Sequence, residues 1–289
     1  MLAVKEHRPE VYRPKPSKRE RPRRKRVTIA LGFRCVDGIM LCADTQETYD
    51  NYIKRKQPKL TVKGTTDFPF GMDVDRTHEP SPCAVFAGAG NDADFLDALI
   101  DKLWTAMERK GREGIDAMVE ACENELIEQY GKFVPLYPSG VPETTLLVGI
   151  WSAVNDYELV KISGPVLKRQ IMLDTIGCGD LLATYITQRF VKPKSWLSIS
   201  VPVGLYVIDQ VKKHVEGCGA DTQLIVIRST GRVESYTPQD AEQETDRLRK
   251  IDAVAREMFG LTADYRGSDE EYNQLLAQAT GRLRLLRQH

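Results

Sequence analysis

The sequence predicts an α+β domain in which two stacked β-sheets carry helices on both outer faces. Three observations lead there. The elements alternate in blocks along the chain, as strands, two helices, strands, two helices, strands. The runs Thr28–Phe33 and Ile39–Ala43 are apolar without clean alternation, which suits strands buried on both faces. And 289 residues are enough to bury a substantial core in one large domain plus extensions.

The formal net charge of zero hides an asymmetry. Residues 1–27 hold eleven Lys/Arg against three Glu, so this head carries +8 and the remaining chain −8. Residues 1–26 are rich in Arg, Lys and Pro with little to pack, and are expected to be disordered. Their cations suit non-specific phosphate contact. No aromatic interleaving accompanies them, so a solvated tail and no specific nucleic-acid partner are expected.

Asp37-Gly38 joins the first two runs as a hairpin turn. Val62 to Pro82 is polar with turn signals and reads as an inserted surface loop. A short strand, Ala84–Ala87, leads through Gly88-Ala-Gly90 to Asn91, the expected cap of a helix striped by Leu96, Leu99, Ile100, Leu103 and Met107. A second helix shows Ile115, Met118, Val119, Cys122 and Leu126. Strands are expected at Thr145–Trp151, Tyr157–Ile162 and Gln170–Ile176, and helices at about Leu181–Phe190 and Val201–Val215, the latter starting near Pro202. Gln223–Ile227 and Val233–Tyr236 close the strand set. Two amphipathic helices follow Pro238. One carries Leu248, Ile251, Val254 and Met258 and is expected to stop at Gly260; the other carries Leu275, Leu276, Ala279, Leu283 and Leu286.

No apolar run reaches the roughly 18–20 residues that a membrane span needs, and the head lacks the apolar stretch of a secretory signal. The six cysteines, at 35, 42, 83, 122, 178 and 218, form no CxxC pair. A cytoplasmic chain with reduced thiols is expected, without a membrane partner. The four histidines are scattered and no metal-ligand spacing appears, so neither a metal nor a cofactor is expected.

Thr28 opens the first strand, Asp44 ends the second, and Lys59 follows in the next loop. A threonine hydroxyl needs a base, and the α-amine of a chain-terminal threonine can serve. That amine titrates at about 7.7–8, near working pH. A lysine ammonium beside it keeps it neutral, and an aspartate orients the lysine.

Thr28-Ile-Ala-Leu-Gly-Phe-Arg-Cys-Val-Asp-Gly-Ile-Met-Leu-Cys-Ala-Asp44 resembles the N-terminal hairpin of a proteasome β-type subunit, an N-terminal-nucleophile (Ntn) threonine hydrolase. Asn51–Leu60 resembles the segment delivering that family's lysine, one residue shorter, and Ala84–Ala93 resembles the strand and turn of its oxyanion hole. The likeness runs from about Thr28 to about Tyr236 and is most specific in the first third. It implies a four-layer α-β-β-α sandwich. It also implies a peptidase or amidase in which Thr28 is the nucleophile, Asp44 and Lys59 tune its amine, and the Gly88 N–H stabilises the oxyanion. Thr48 and Gly90 match positions that bind substrate backbone; Glu47 and Phe86 match the first specificity pocket. The supporting cluster departs from the pattern. Cys178 replaces its first serine, and Glu216 and Cys218 are the nearest candidates for its later aspartate and serine.

The resemblance further implies a peptide or protein substrate and a homo-oligomeric ring; it leaves open the ring size and whether there is a partner ATPase. Three segments are expected: a basic extension at 1–27, a catalytic domain at 28–237 and a helical extension at 238–289. The α-amine mechanism requires a chain that begins at Thr28. Val27 disfavours the tight turn of self-cleavage, and a mis-assigned start at position 27 would equally expose Thr28 once methionine is removed. Two alternatives stand beside hydrolysis. One is a non-catalytic subunit like the family's α-type; the other is a transpeptidase or ligase in which an amine resolves the acyl ester.

Overall fold

The computed structural model describes residues 29–49, 53–64, 81–133, 142–192, 194–264 and 266–287. Thr28, the basic head and most of the expected inserted loop lie outside the described residues. The described chain is a mixed α+β fold of three antiparallel sheets and six helices.

One five-stranded sheet is ordered β10 (Leu173–Gly177), β1 (Ile29–Cys35), β2 (Gly38–Asp44), β11 (Thr222–Arg228), β12 (Val233–Tyr236). The other is ordered β5 (Leu60–Lys63), β6 (Cys83–Gly90), β7 (Thr144–Trp151), β8 (Tyr157–Ser163), β9 (Val166–Gln170). A two-stranded ribbon, β3 (Gln46–Tyr49) with β4 (Ile53–Lys56), springs from the end of β2.

The apolar residues sort into three clusters. Ala30, Leu41, Val85, Ala87, Leu147 and Ile225 meet between the two large sheets. On the far side of the β6 sheet, Phe86, Leu146 and Val160 pack under α1 (Ala93–Glu108) and α2 (Ile115–Phe133). On the far side of the β1 sheet, Leu31, Met40 and Leu224 pack under α3 (Asp180–Phe190) and α4 (Leu197–His214). Neighbouring residues of one strand thus serve opposite cores, which is why these runs lack alternation. Helix α5 (Pro238–Asp264) lies against α4 and β11, and α6 (Asp269–Arg287) packs on α5.

The β1–β2 hairpin follows from Gly38, whose positive φ no branched residue tolerates; a Cβ there would sit 2.2 Å from the Ile227 carbonyl oxygen. The turn also reaches outward, since Asp37 Oδ1 accepts the Leu197 N–H at 2.8 Å and caps α4.

Several expected boundaries move. Asp92, not Asn91, caps α1 by accepting the Phe95 N–H at 3.0 Å. Helix α4 begins at Leu197, so Pro202 lies inside it, in the second turn, where it removes a single helical hydrogen bond. The expected strand Gln170–Ile176 is two strands, because the chain leaves one sheet at Gln170 and joins the other at Leu173. The ribbon β3–β4 was not expected at all. Helix α5 continues through Gly260 to Asp264. No helix among the described residues is long and apolar enough to cross a membrane.

Candidate functional site

The polar centre of the fold lies where β2 ends. Asp44 is fully enclosed. Its Oδ1 accepts the Lys59 ammonium at 2.7 Å and the Ile29 N–H at 3.2 Å, and its Oδ2 accepts the Gly219 N–H at 2.9 Å. Four separate stretches meet on this carboxylate: the starts of β1 and β5, the end of β2, and the turn after α4. The Ile29 N–H belongs to the peptide bond that links Ile29 to Thr28.

Lys59 is buried as deeply, with its side chain 1% exposed. Its backbone N–H and that of Leu60 both donate to Gln223 Oε1, at 2.6 and 3.2 Å. Gln223 belongs to β11, which pairs with β2 in the register Gln223↔Ala43. One side chain thus ties the edge strand of one large sheet to the middle of the other. Burial pushes the Lys59 ammonium below the ordinary lysine range, while Asp44 pulls the other way. Thr45 and Asp221 lock the neighbouring turn. Asp221 donates its N–H to Thr45 Oγ1 at 2.9 Å, and its carbonyl accepts the Thr45 N–H at 3.0 Å.

The Gly88 expectation meets a mixed setting. Gly88 lies in β6 opposite Leu146, and the register Leu60↔Ala87, continued by one step, sets Lys59 across from it. A Cβ at Gly88 would stand 2.5 Å from Leu96 Cδ2. A side chain here would therefore displace Leu96 under α1, so packing favours glycine whatever the N–H does. Gly90 is half-buried, and a Cβ there would meet the Glu143 carbonyl at 2.7 Å.

The cysteines join the cluster. Cys178 Sγ lies 3.3 Å from Cys218 Sγ, and both thiols lie within electrostatic reach of Lys59 and Asp44. The hydrogen bond from Cys218 holds the Cys178 thiol below its ordinary range, and the same shared proton pushes Cys218 up. Cys178 is exposed and Cys218 buried.

Four other expected residues are Glu216, Phe86, Glu47 and Thr48. Glu216 is exposed in the turn after α4, and no hydrogen bond ties its side chain to the cluster among the described residues. The group that this turn sends to Asp44 is the backbone N–H of Gly219. Phe86 is 0% exposed and sealed in the core beneath α1 and α2, an enclosed position rather than a pocket wall. Glu47 is buried on β3 opposite Arg55. Thr48 pairs with Lys54 through its backbone, and its side chain falls outside the description.

Reading residue types missed Gly219 and Gln223. The Gly217-Cys-Gly219 triplet was a usable signal for a backbone donor; nothing in the sequence marks Gln223. Among the described residues, no group of three or more His, Cys, Asp or Glu is placed to hold a metal ion.

No protein-family model matches the chain, and no curated protein does. Solved structures do. A Gly-1 mutant of Anbu from Hyphomicrobium sp. strain MC1 superposes with TM-score 0.62 at 14% identity, covering 83% of this chain and 99% of that one. Anbu from Yersinia bercovieri, described as an ancestral beta-subunit, gives 0.60 at 12% identity over 84% and 99%. The helical assembly of the Anbu complex from Pseudomonas aeruginosa gives 0.58 at 16% over 83% and 99%. At these identities the likeness establishes the fold alone. It also corrects the resemblance read from the sequence. These matched structures are Anbu, a distinct proteasome-like group, and none of them is described as an Ntn hydrolase.

Proposed function

We propose that the chain is a peptidase or amidase whose nucleophile is the Thr28 hydroxyl. The observation that carries this reading is the Asp44 carboxylate. It gathers the Lys59 ammonium and the Ile29 N–H, one peptide bond from Thr28, at a single buried point. A carboxylate–lysine pair kept from water is costly to fold around. A use at the Thr28 amine accounts for its retention better than stability does.

In this mechanism the Thr28 α-amine, directly or through a water, takes the hydroxyl proton as Oγ attacks the substrate carbonyl. The Lys59 charge keeps the amine unprotonated, and Asp44 holds the lysine in place. The Gly88 N–H donates to the developing oxyanion. The amine then returns its proton to the leaving nitrogen, and water resolves the acyl ester. Thr48 and Gly90 would align the substrate backbone, with Glu47 nearby.

The reading takes residues 28–237 as the catalytic unit and 238–289 as a helical extension. It requires that residues 1–27 be absent from the working chain. The three apolar clusters support a helix–sheet–sheet–helix stacking order. A cytoplasmic setting belongs to the same proposal. So does self-association, in line with the Pseudomonas Anbu assembly; a single 33 kDa species by light scattering at micromolar concentration would exclude it.

Thr28→Ala is expected to abolish turnover of a fluorogenic peptide panel while the melting temperature stays within a degree or two. Wild-type turnover in that variant would remove the nucleophile assignment. Mass spectrometry of the active species should find Thr28 at its N-terminus, and residues 1–27 retained there would exclude the amine mechanism. If a supplied amine is captured in preference to water, the same site acts as a transpeptidase. A second reading, a non-catalytic scaffold, is favoured by the two thiols and the exposed Glu216, where the resemblance implies serines and an aspartate.

A further inference from the structure

Outside the acid–lysine pair, the least ordinary chemistry on the molecule is the sulfur pair next to it. Cys178 sits in the turn from β10 into α3, and Cys218 in the turn from α4 towards β11. They are forty residues apart in sequence, yet their sulfurs lie 3.3 Å apart. A disulfide needs about 2.05 Å between sulfurs and a specific dihedral. Each cysteine is flanked by glycine on both sides, Gly177 and Gly179, Gly217 and Gly219, so neither sulfur has a chain-neighbour side chain in its way. Their exposures also divide. Cys178 faces solvent and Cys218 does not, the arrangement in which one thiol meets an oxidant and the second resolves the product. The other four cysteines are buried and lie elsewhere in the cores.

We propose that Cys178 and Cys218 form a peroxide-sensitive redox pair whose closure disables the Asp44–Lys59 site. The Cys178 thiolate attacks one peroxide oxygen, the O–O bond breaks, and hydroxide leaves with the thiol proton as water, giving a sulfenic acid. The Cys218 sulfur then attacks the Cys178 sulfur. The S–S bond forms, the S–O bond breaks, and a second water leaves. Two thiols are oxidised by two electrons, and one hydrogen peroxide is reduced to two waters. The link to the site is direct. Gly219, which follows Cys218, donates its N–H to Asp44 Oδ2 at 2.9 Å. Gly177, which precedes Cys178, pairs with Ile29 in the ladder. Drawing the two turns together pulls on both neighbours of the carboxylate.

The coupling half of this proposal rests on the function proposed above; the sulfur half does not. The test uses the full chain, reduced and then exposed to near-stoichiometric hydrogen peroxide. Peptide mapping should find a Cys178–Cys218 linkage, an intact mass lower by about two daltons, and loss of two of the six titratable thiols. Cys218→Ser should instead trap a dimedone-reactive sulfenic acid at Cys178. Six thiols remaining, or a Cys178 sulfenic acid that never cross-links in the wild type, would overturn the pair. Where turnover is measurable, cross-linking should reduce it at least tenfold and dithiothreitol should restore it; a cross-linked enzyme with full turnover would overturn the coupling. A linkage that forms in a protein without turnover in either state would leave the redox pair standing and count against the hydrolase reading.

Discussion

Among the described residues, two aspartates are buried with cationic partners, and they are built differently. Asp44 and Lys59 are both sealed, with side-chain exposures of 0% and 1%. Asp209, on α4, is 4% exposed, but its partners Arg249 and Lys213 are 34% and 45% exposed. The second arrangement keeps its cations largely in water, so only the Asp209 carboxylate is desolvated, and the contact clamps α5 onto α4. The first strips both charges of water and recovers the cost through close geometry and through the N–H groups of Ile29 and Gly219. A clamp can be built without that expense. The contrast is why the Asp44 end of the sheet reads as a site and the Asp209 contact as mortar.

The contrast can be broken most severely at Lys59. Lys59→Met should reduce turnover by several orders of magnitude and cost about 3–5 kcal/mol in urea unfolding, because it strands a buried carboxylate. Lys54→Ala and Lys56→Ala, on the exposed ribbon, should do neither. The double variant Asp44→Leu with Lys59→Met tests the interpretation directly. It should remain inactive and recover only part of the loss, because the Ile29 and Gly219 N–H groups are left without their acceptor at about 1–3 kcal/mol each. A double variant that retains turnover would mean that the pair is structural.

Arg249→Ala sits at the milder end, at about 1 kcal/mol after allowance for its exposure. Its signature is in the pH dependence. Burial raises the Asp209 carboxyl, but the Arg249 and Lys213 hydrogen bonds outweigh that and hold it below the usual range. A depressed carboxyl contributes stability that is complete above its unfolded value of about 3.9 and lost as pH falls through the folded value. The gap between wild type and Arg249→Ala should therefore be widest near neutrality and close in strong acid, as urea midpoints would report. The smallest effect is kinetic only. Iodoacetamide should label Cys178 below the pH at which ordinary thiols respond, while Cys83 and Cys122, pushed up to about 12 by burial, stay unlabelled in the folded protein.

Much of the fold was legible because its signals are local. Asp37-Gly38 announced a hairpin, and the stripes of α1 and α2 appear in the sequence at the spacing in which they pack. Asp44 and Lys59 were legible as types. What stayed hidden depends on the third dimension. In β6 every residue is apolar, so nothing in the run indicates that Phe86 turns to the helices and Ala87 to the opposite sheet. The stretch from Val166 to Gly177 carries no glycine or proline at the point where it changes sheets. Gln223 acts through a neutral amide, which has no compositional signature, and Gly219 through a backbone N–H that only its glycine-flanked cysteine hints at.

Gln223 carries one more consequence. Protein synthesis runs from the N-terminus, at about 5–20 residues per second. Asp44 and Lys59 leave the ribosome early. The amide oxygen that seats the backbone of Lys59 comes 164 residues later, and the Gly219 N–H that steadies Asp44 comes 175 residues after it. At that rate the delay is about ten to thirty seconds. During it the nascent chain holds both charged residues without the scaffold that positions them. Truncated or stalled products would therefore lack the groups that hold Asp44 and Lys59 together.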